Sequence, residues 1–243
     1  RPGARGQRAQ GRRPQRSLLV RLGQEVQALP RRLSRSLLLT LLLGLAGFVL
    51  VALVSEQDPL ETVDVEVMHW VALELHEVFV WIGRFFSWVG GWIGLRLTFL
   101  GVVAGVLLVR ERAWLDLLFL LAALVGSQIV VTLLKAGFDR TRPDAGSAVP
   151  LPDSPAFPSG HATSAVAGFG ALTVLASERL PSRRARTWLW SAAVVVGLAI
   201  GLSRIALNVH YVTDVLAGWC LGLAWLAGCL LAREAVRARA MSG

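Results

Sequence analysis

The chain has 243 residues, 54% of them hydrophobic, with a mean hydropathy of +0.57 and a formal net charge of +9. That composition excludes an ordinary soluble globule, and the apolar residues are gathered in blocks rather than scattered.

The first 35 residues carry ten arginines and one acid, Glu25. With so much like charge and little periodicity, residues 1–33 are expected to form a mostly disordered basic tail. It reads as a topology signal and not as a nucleic-acid-binding arm. Six apolar blocks follow: Ser36–Val54, Trp92–Val109, Trp114–Leu134, Ser159–Ala176, Trp188–Leu202 and Tyr211–Ala232. A helix needs about 20 residues to cross the hydrocarbon core, and most of the blocks fit. The fifth is short, so its helix is expected to continue into the stretch from Ser203 to Asp214. The reading is an all-α polytopic membrane protein of six transmembrane helices, with the membrane domain over residues 34–233 and a short cytoplasmic tail over 234–243.

Between the first two blocks, Val71, Leu75, Val78, Ile82, Phe85 and Val89 recur at helical spacing, with Glu74, Glu77 and Arg84 off the stripe. Trp70, Trp81, Trp88 and Trp92 suit the headgroup level. An interfacial amphipathic helix on the outer leaflet, beside the route of a lipid tail, is expected there. Arg96, shallow in the second block, is expected to snorkel outward.

Arginines cluster before block 1, at Arg110 and Arg112, at Arg179, Arg183, Arg184 and Arg186, and at Arg233, Arg237 and Arg239. In a six-span chain these segments share one side, which the positive-inside rule makes cytoplasmic. The acidic segment with Glu56, Asp58, Glu61, Asp64 and Glu66 falls outside. Cys220 and Cys229 stand nine residues apart on the last block. About 13 Å along a helix is too far for a mutual disulfide, and they read as packing residues.

The unusual polar clusters fall at four helix ends that share the outer side. "KAGFDRTRP" leaves block 3, "FPSGHATSA" opens block 4, and "SRIALNVHYVTD" joins blocks 5 and 6. Among 24 arginines the chain has a single lysine, Lys135, and two of its four histidines, His161 and His210, lie in these clusters. Intramembrane charge is costly, so such groups mark a functional site.

The chemistry they suit is phosphoryl transfer, in which catalysis consists largely of holding and neutralising three charged oxygens. Arg142 and Arg204 offer forked donors and Lys135 a point charge. In "PSGH", Pro158 suits a helix start, Ser159 can cap it and Gly160 lets backbone approach an anion. Ser203 or a histidine can attack phosphorus, and no aspartate cluster suggests metal-activated water. His210 and Asp214, spaced i, i+4, share a helical face where the carboxylate can fix the imidazole tautomer. Neutral His210 is then a competent nucleophile and His161 the natural general acid. His69 and His76 read as ordinary interfacial side chains.

Lys135, Arg142 and Pro143 (K-x6-R-P), Pro158 to His161 (P-S-G-H), and Ser203, Arg204, His210 and Asp214 (S-R-x5-H-x3-D) resemble the three-part signature of the type 2 phosphatidate phosphatases, or lipid phosphate phosphatases. The motifs span residues 135–214, the six-span plan extends the likeness to about residues 36–232, and no signature position departs. The resemblance implies a six-helix membrane enzyme hydrolysing lipid phosphate esters or anhydrides without metal or cofactor. It implies His210 as nucleophile, Asp214 as its orienting partner and His161 as proton donor, with Lys135, Arg142, Ser159, Gly160 and Arg204 binding phosphate. Soluble vanadium-dependent haloperoxidases share the signature, but six apolar blocks argue against that branch.

The expected partners are the bilayer and a lipid phosphate, such as polyprenyl diphosphate, phosphatidylglycerophosphate or phosphatidate. The expected pocket is extracytoplasmic, with both termini cytoplasmic. A phosphotransferase using the same phosphohistidine, and a lipid-phosphate carrier without turnover, are the alternatives.

Overall fold

A computed structural model describes residues 13–55, 57–91, 114–144 and 146–242, and among these all regular structure is helical. We number the helices α1 (Arg13–Val54), α2 (Asp58–Glu74), α3 (Glu77–Gly90), α4 (Trp114–Phe138), α5 (160–177), α6 (Arg183–Ala206) and α7 (Val212–Ser242). Each of α4 and α5 contains a π-helical turn, at Ala122–Gly126 and Ala165–Phe169. The turn in α4 frees the Ala122 carbonyl to accept from the Trp225 indole at 2.9 Å, tying α4 to α7.

Four described segments are long and apolar enough to cross a membrane: Ser34–Val54, Trp114–Phe138, Arg183–Ala206 and Val212–Ala240. The expected second span, Trp92–Val109 with Arg96, lies outside the described residues, as do Arg110 and Arg112 after it. The expected fourth span is the helix α5, which is short and carries small and polar residues because it sits at the centre, packed on α4, α6 and α7. The expected fifth span is lengthened at both ends and does run on to include Arg204.

Helix α1 begins at Arg13, inside the segment expected to be mostly disordered: Arg, Leu, Gln and Ala are good helix formers, and a helix continued from a membrane span needs no new nucleus. Helix α7 runs on to Ser242. One expectation is corrected: the single amphipathic helix is two. It breaks at Leu75 and His76, both extended, where the His76 side chain accepts from the Val78 N–H and starts α3 afresh.

On α3 the apolar stripe points away from the protein: Val78, Trp81, Ile82, Phe85 and Trp88 are all exposed. Its inward face is made of small residues instead. A methyl group on Gly90 would overlap Ile200, and that space lets α3 lie directly on α6.

The helix ends sort into two levels. At one, Arg233 on α7 bonds Asp116 on α4 and Glu178 after α5, each at 2.6 Å, and Arg237 reaches the same pair. Ser34 on α1 donates to Glu234 there at 3.3 Å. At the other level lie the end of α4, the start of α5, the end of α6 and the start of α7. Close approach there depends on α7 Gly218 and Gly222: side chains at these positions would come within 2.7 Å of the Ser159 carbonyl and 2.8 Å of the Thr163 carbonyl. Small residues spaced four apart let two membrane helices meet backbone to backbone.

Candidate active site

Lys135 lies in the last turn of α4, which stops at Asp139, where a left-handed φ of 45° turns the chain. The chain then doubles back and delivers Arg140 inward on one side and Arg142 on the other. The loop 146–159 crosses the bundle end, and its carbonyls receive the cations. Arg142 Nε donates to the Ser154 carbonyl at 2.9 Å, and Lys135 Nζ to that of Pro155.

α5 opens at Gly160 with Ser159 extended before it. The expected side-chain cap is not made. Ser159 donates its backbone N–H to the Asp214 carbonyl at 3.0 Å, and its buried hydroxyl has no protein partner.

α6 ends after Ala206, and Asn208, with a left-handed φ of 55°, reverses the chain. Its short amide side chain donates to the Gly146 carbonyl at 3.3 Å, fixing the turn that carries His210. His210 is 2% exposed and Asp214 fully buried. The imidazole Nδ1 lies 3.3 Å from Asp214 Oδ2, as the i, i+4 spacing predicts, and Nε2 lies 3.3 Å from an Arg142 guanidinium nitrogen. That arrangement suits a ring protonated on Nδ1 with its Nε2 lone pair turned to the cations. Burial first, then the charges of Arg204, Arg142 and Lys135, hold His210 well below the usual imidazole range, so the ring is neutral.

Lys135, Arg142, Gly160, His161, Arg204 and His210 line one cavity of about 470 Å³. Of the residues singled out from sequence, Asp214 stands behind His210, Ser159 precedes Gly160 without lining the cavity, and the other six share the cavity wall. Arg204 is 4% exposed and donates to the Ser87 hydroxyl on α3, while its Nε has no partner. Ser159 Oγ and Arg204 Nε are both buried polar atoms without a hydrogen-bond partner. Among the described residues no cluster of His, Cys, Asp or Glu forms a metal-ligand set.

Sequence reasoning missed several groups. Gln128 on α4 donates to Ser164 and to the Gly160 carbonyl and lines the cavity floor. Its only sequence signal is a lone amide in an apolar span. Ser87, Arg140, Asp64 and Thr213 also went unassigned. Arg140 donates to Asp214 Oδ1 at 2.8 Å and to Asp64 Oδ2 at 3.0 Å.

A bundle of membrane-length helices whose aligned ends gather cations around a carboxylate-backed histidine defines a helical membrane protein with a cationic cavity. The sequence matches the PAP2 superfamily model over residues 116–238, half of the chain, and the protein belongs to that family. It is 33% identical to phosphatidylglycerophosphatase B of Bacillus subtilis (strain 168) over 121 residues, 49% of this chain and 58% of that protein. It is 32% identical over 78 residues to undecaprenyl-diphosphatase of Sulfolobus acidocaldarius, 32% of this chain and 33% of that protein. The chain thus spans no more than 58% of the length of either relative. In fold it is similar to the first transmembrane PAP2-type phosphatidylglycerolphosphate phosphatase from Bacillus subtilis solved by crystallography. The TM-score is 0.71 at 24% identity, over 81% of this chain and 94% of that one.

Proposed function

We propose that the protein is a metal-independent membrane phosphatase that hydrolyses a lipid phosphate or diphosphate through a phosphohistidine on His210. The observation that carries this reading is the setting of one imidazole, gripped at Nδ1 by Asp214 while Nε2 faces the cationic cavity.

Phosphate would be held by the forks of Arg142 and Arg204, by Lys135, and by the Ser159 hydroxyl and Gly160 backbone at the start of α5. An anion on Arg142 is delivered to the neighbouring Nε2. That nitrogen forms a bond to phosphorus as the bond to the lipid oxygen breaks, and the leaving oxygen takes a proton from His161. Binding of the anion beside His161 favours its protonated form. Water then attacks the phosphohistidine, passing its proton to His161, and inorganic phosphate leaves with His210 restored. Asp214 stabilises the charge that the ring gains when phosphorylated. The apolar outer face of α3, next to the site, fits an element lying in the lipid interface and lining the path of the tail. The two relatives are named for phosphatidylglycerophosphate and undecaprenyl diphosphate, which makes those lipids the first candidates, and the signature resemblance adds phosphatidate.

Phosphate release from a panel of these lipids in detergent tests the reading. Activity is expected on at least one, undiminished in chelator because the imidazole itself attacks, and inhibited by vanadate, which adopts five-coordinate geometry. Complete loss in chelator with recovery on adding magnesium would contradict it.

The arginine-rich ends Arg179–Arg186 and Arg233–Arg239 lie at the level opposite the cavity, which favours an extracytoplasmic site by the positive-inside rule. With Asp153→Cys in the exposed loop over the cavity, an impermeant maleimide is expected to label intact cells. Labelling only after the cytoplasmic side is opened would reverse the orientation.

A further inference from the structure

Arg140 does not line the cavity, yet it makes more side-chain bonds to charged groups than any residue that does. One terminal nitrogen donates to Asp214 Oδ1 at 2.8 Å and Thr213 Oγ1 at 2.7 Å. The other donates to Asp64 Oδ2 at 3.0 Å and the Ser55 carbonyl at 3.3 Å. Its guanidinium plane stacks on the Tyr211 ring, 4.4 Å from the centroid. Asp64, 1% exposed, comes from α2 and also accepts from the Thr213 N–H at 3.2 Å and the Thr213 hydroxyl. It therefore caps the first turn of α7 from another helix, where a carboxylate is favoured by the helix dipole.

We propose that Arg140 is a positioning residue of this site: braced by Asp64, its guanidinium fixes the Asp214 carboxylate in the rotation that aims His210 Nε2 into the cavity. The two oxygens of Asp214 have separate duties. Oδ1 is taken by Arg140, which leaves Oδ2 for His210 Nδ1 at 3.3 Å and the Tyr211 N–H at 2.9 Å. Without Arg140 the carboxylate can rotate, and a buried charge loses its counter-ion. With it, Asp64, Arg140 and Asp214 sum to one negative charge, which offsets the positive charge His210 acquires on phosphorylation. Partners one step behind a catalytic group commonly matter by about 10- to 100-fold.

The proposal rests on His210 as the attacking group, so His210→Ala is the control. The full-length variants Arg140→Gln, Arg140→Lys and Asp64→Asn are compared in detergent, on folded enzyme, with one lipid phosphate across pH. Arg140→Gln is expected to lower kcat by about 10- to 100-fold while KM stays within about threefold, and Arg140→Lys to recover part of kcat. Asp64→Asn is expected to lower kcat by about 10-fold.

The acid limb of kcat/KM separates positioning from a merely structural clamp. Charged groups facing His210 are Lys135, Arg142, His161, Arg204 and Asp214, and all are unchanged in these variants. Removing the Arg140 cation makes protonation of His210 easier and moves the limb to higher pH. Removing the Asp64 anion moves it the other way. Ionisation of the substrate is common to every variant and cannot separate them. A kcat within threefold of wild type in folded Arg140→Gln or Asp64→Asn, or limbs that do not separate, overturns the proposal. Should Arg140→Gln not fold, Asp64→Asn decides alone. An active His210→Ala instead overturns the reaction itself, whatever Arg140 does.

Discussion

His210→Ala is expected to lose phosphate release by about 10⁴-fold or more, the scale of removing a nucleophile that acts with its orienting partner. Binding should survive within about 10-fold, because Lys135, Arg142 and Arg204 supply the charge that holds the anion and none of them is touched. The truncation leaves a small space between Asp214 and the cavity, and the Asp214 carboxylate keeps Arg140 and the Tyr211 N–H as partners, so the bundle end stays folded. The split between binding and turnover is the informative part. A carrier would lose neither, since its imidazole forms no bond, and a phosphotransferase would lose transfer and release together. Turnover within about 10-fold of wild type would remove His210 from the reaction.

Arg204→Ala is expected to cost about 10³-fold in kcat/KM. Arg204 is buried on α6 with its Nε unpartnered, and one of its terminal nitrogens is held by Ser87 on α3. The group is thus oriented before substrate arrives and needs no rearrangement when charge develops on phosphate oxygens. Arg204→Lys should recover no more than about 10-fold of the loss, because an ammonium has neither the fork nor the reach to serve phosphate and Ser87 together. Full recovery by lysine, measured as kcat/KM on the same lipid, would mean that Arg204 acts as a point charge.

Much of this site is legible in the sequence because its residues are costly where they stand. Charged groups at the ends of apolar blocks, a lone lysine and an i, i+4 His–Asp pair are local signals, and the alternation of spans carries them to one end of the bundle. The cavity collects Lys135, Arg142, Gly160, His161, Arg204 and His210 accordingly. The Asp64–Arg140 pair left no such mark. Asp64 is one of several acids in a polar connector, Arg140 one of many arginines, and they meet only through a tertiary contact across 76 residues.

The break at His76 was hidden for a related reason. The apolar period runs through it without glycine or proline, and a capping histidine is a weak stop signal. The same period identified a face on α3 and gave it no direction: in a membrane, an apolar stripe can point outward while small residues pack inward. Ser159 has the right residue type for a cap. The close seat of α7 at Gly218 and the bond from the Ser159 backbone to Asp214 are invisible in the local sequence.

The most direct test is to trap the intermediate. Enzyme mixed with a lipid phosphate labelled with radioactive phosphorus and quenched in alkali within the first turnover should carry a base-stable, acid-labile label on the peptide containing His210, with none in His210→Ala. Rapid phosphate release with no label on His210 at any quench time would contradict a phosphohistidine and require water to attack the lipid phosphate directly.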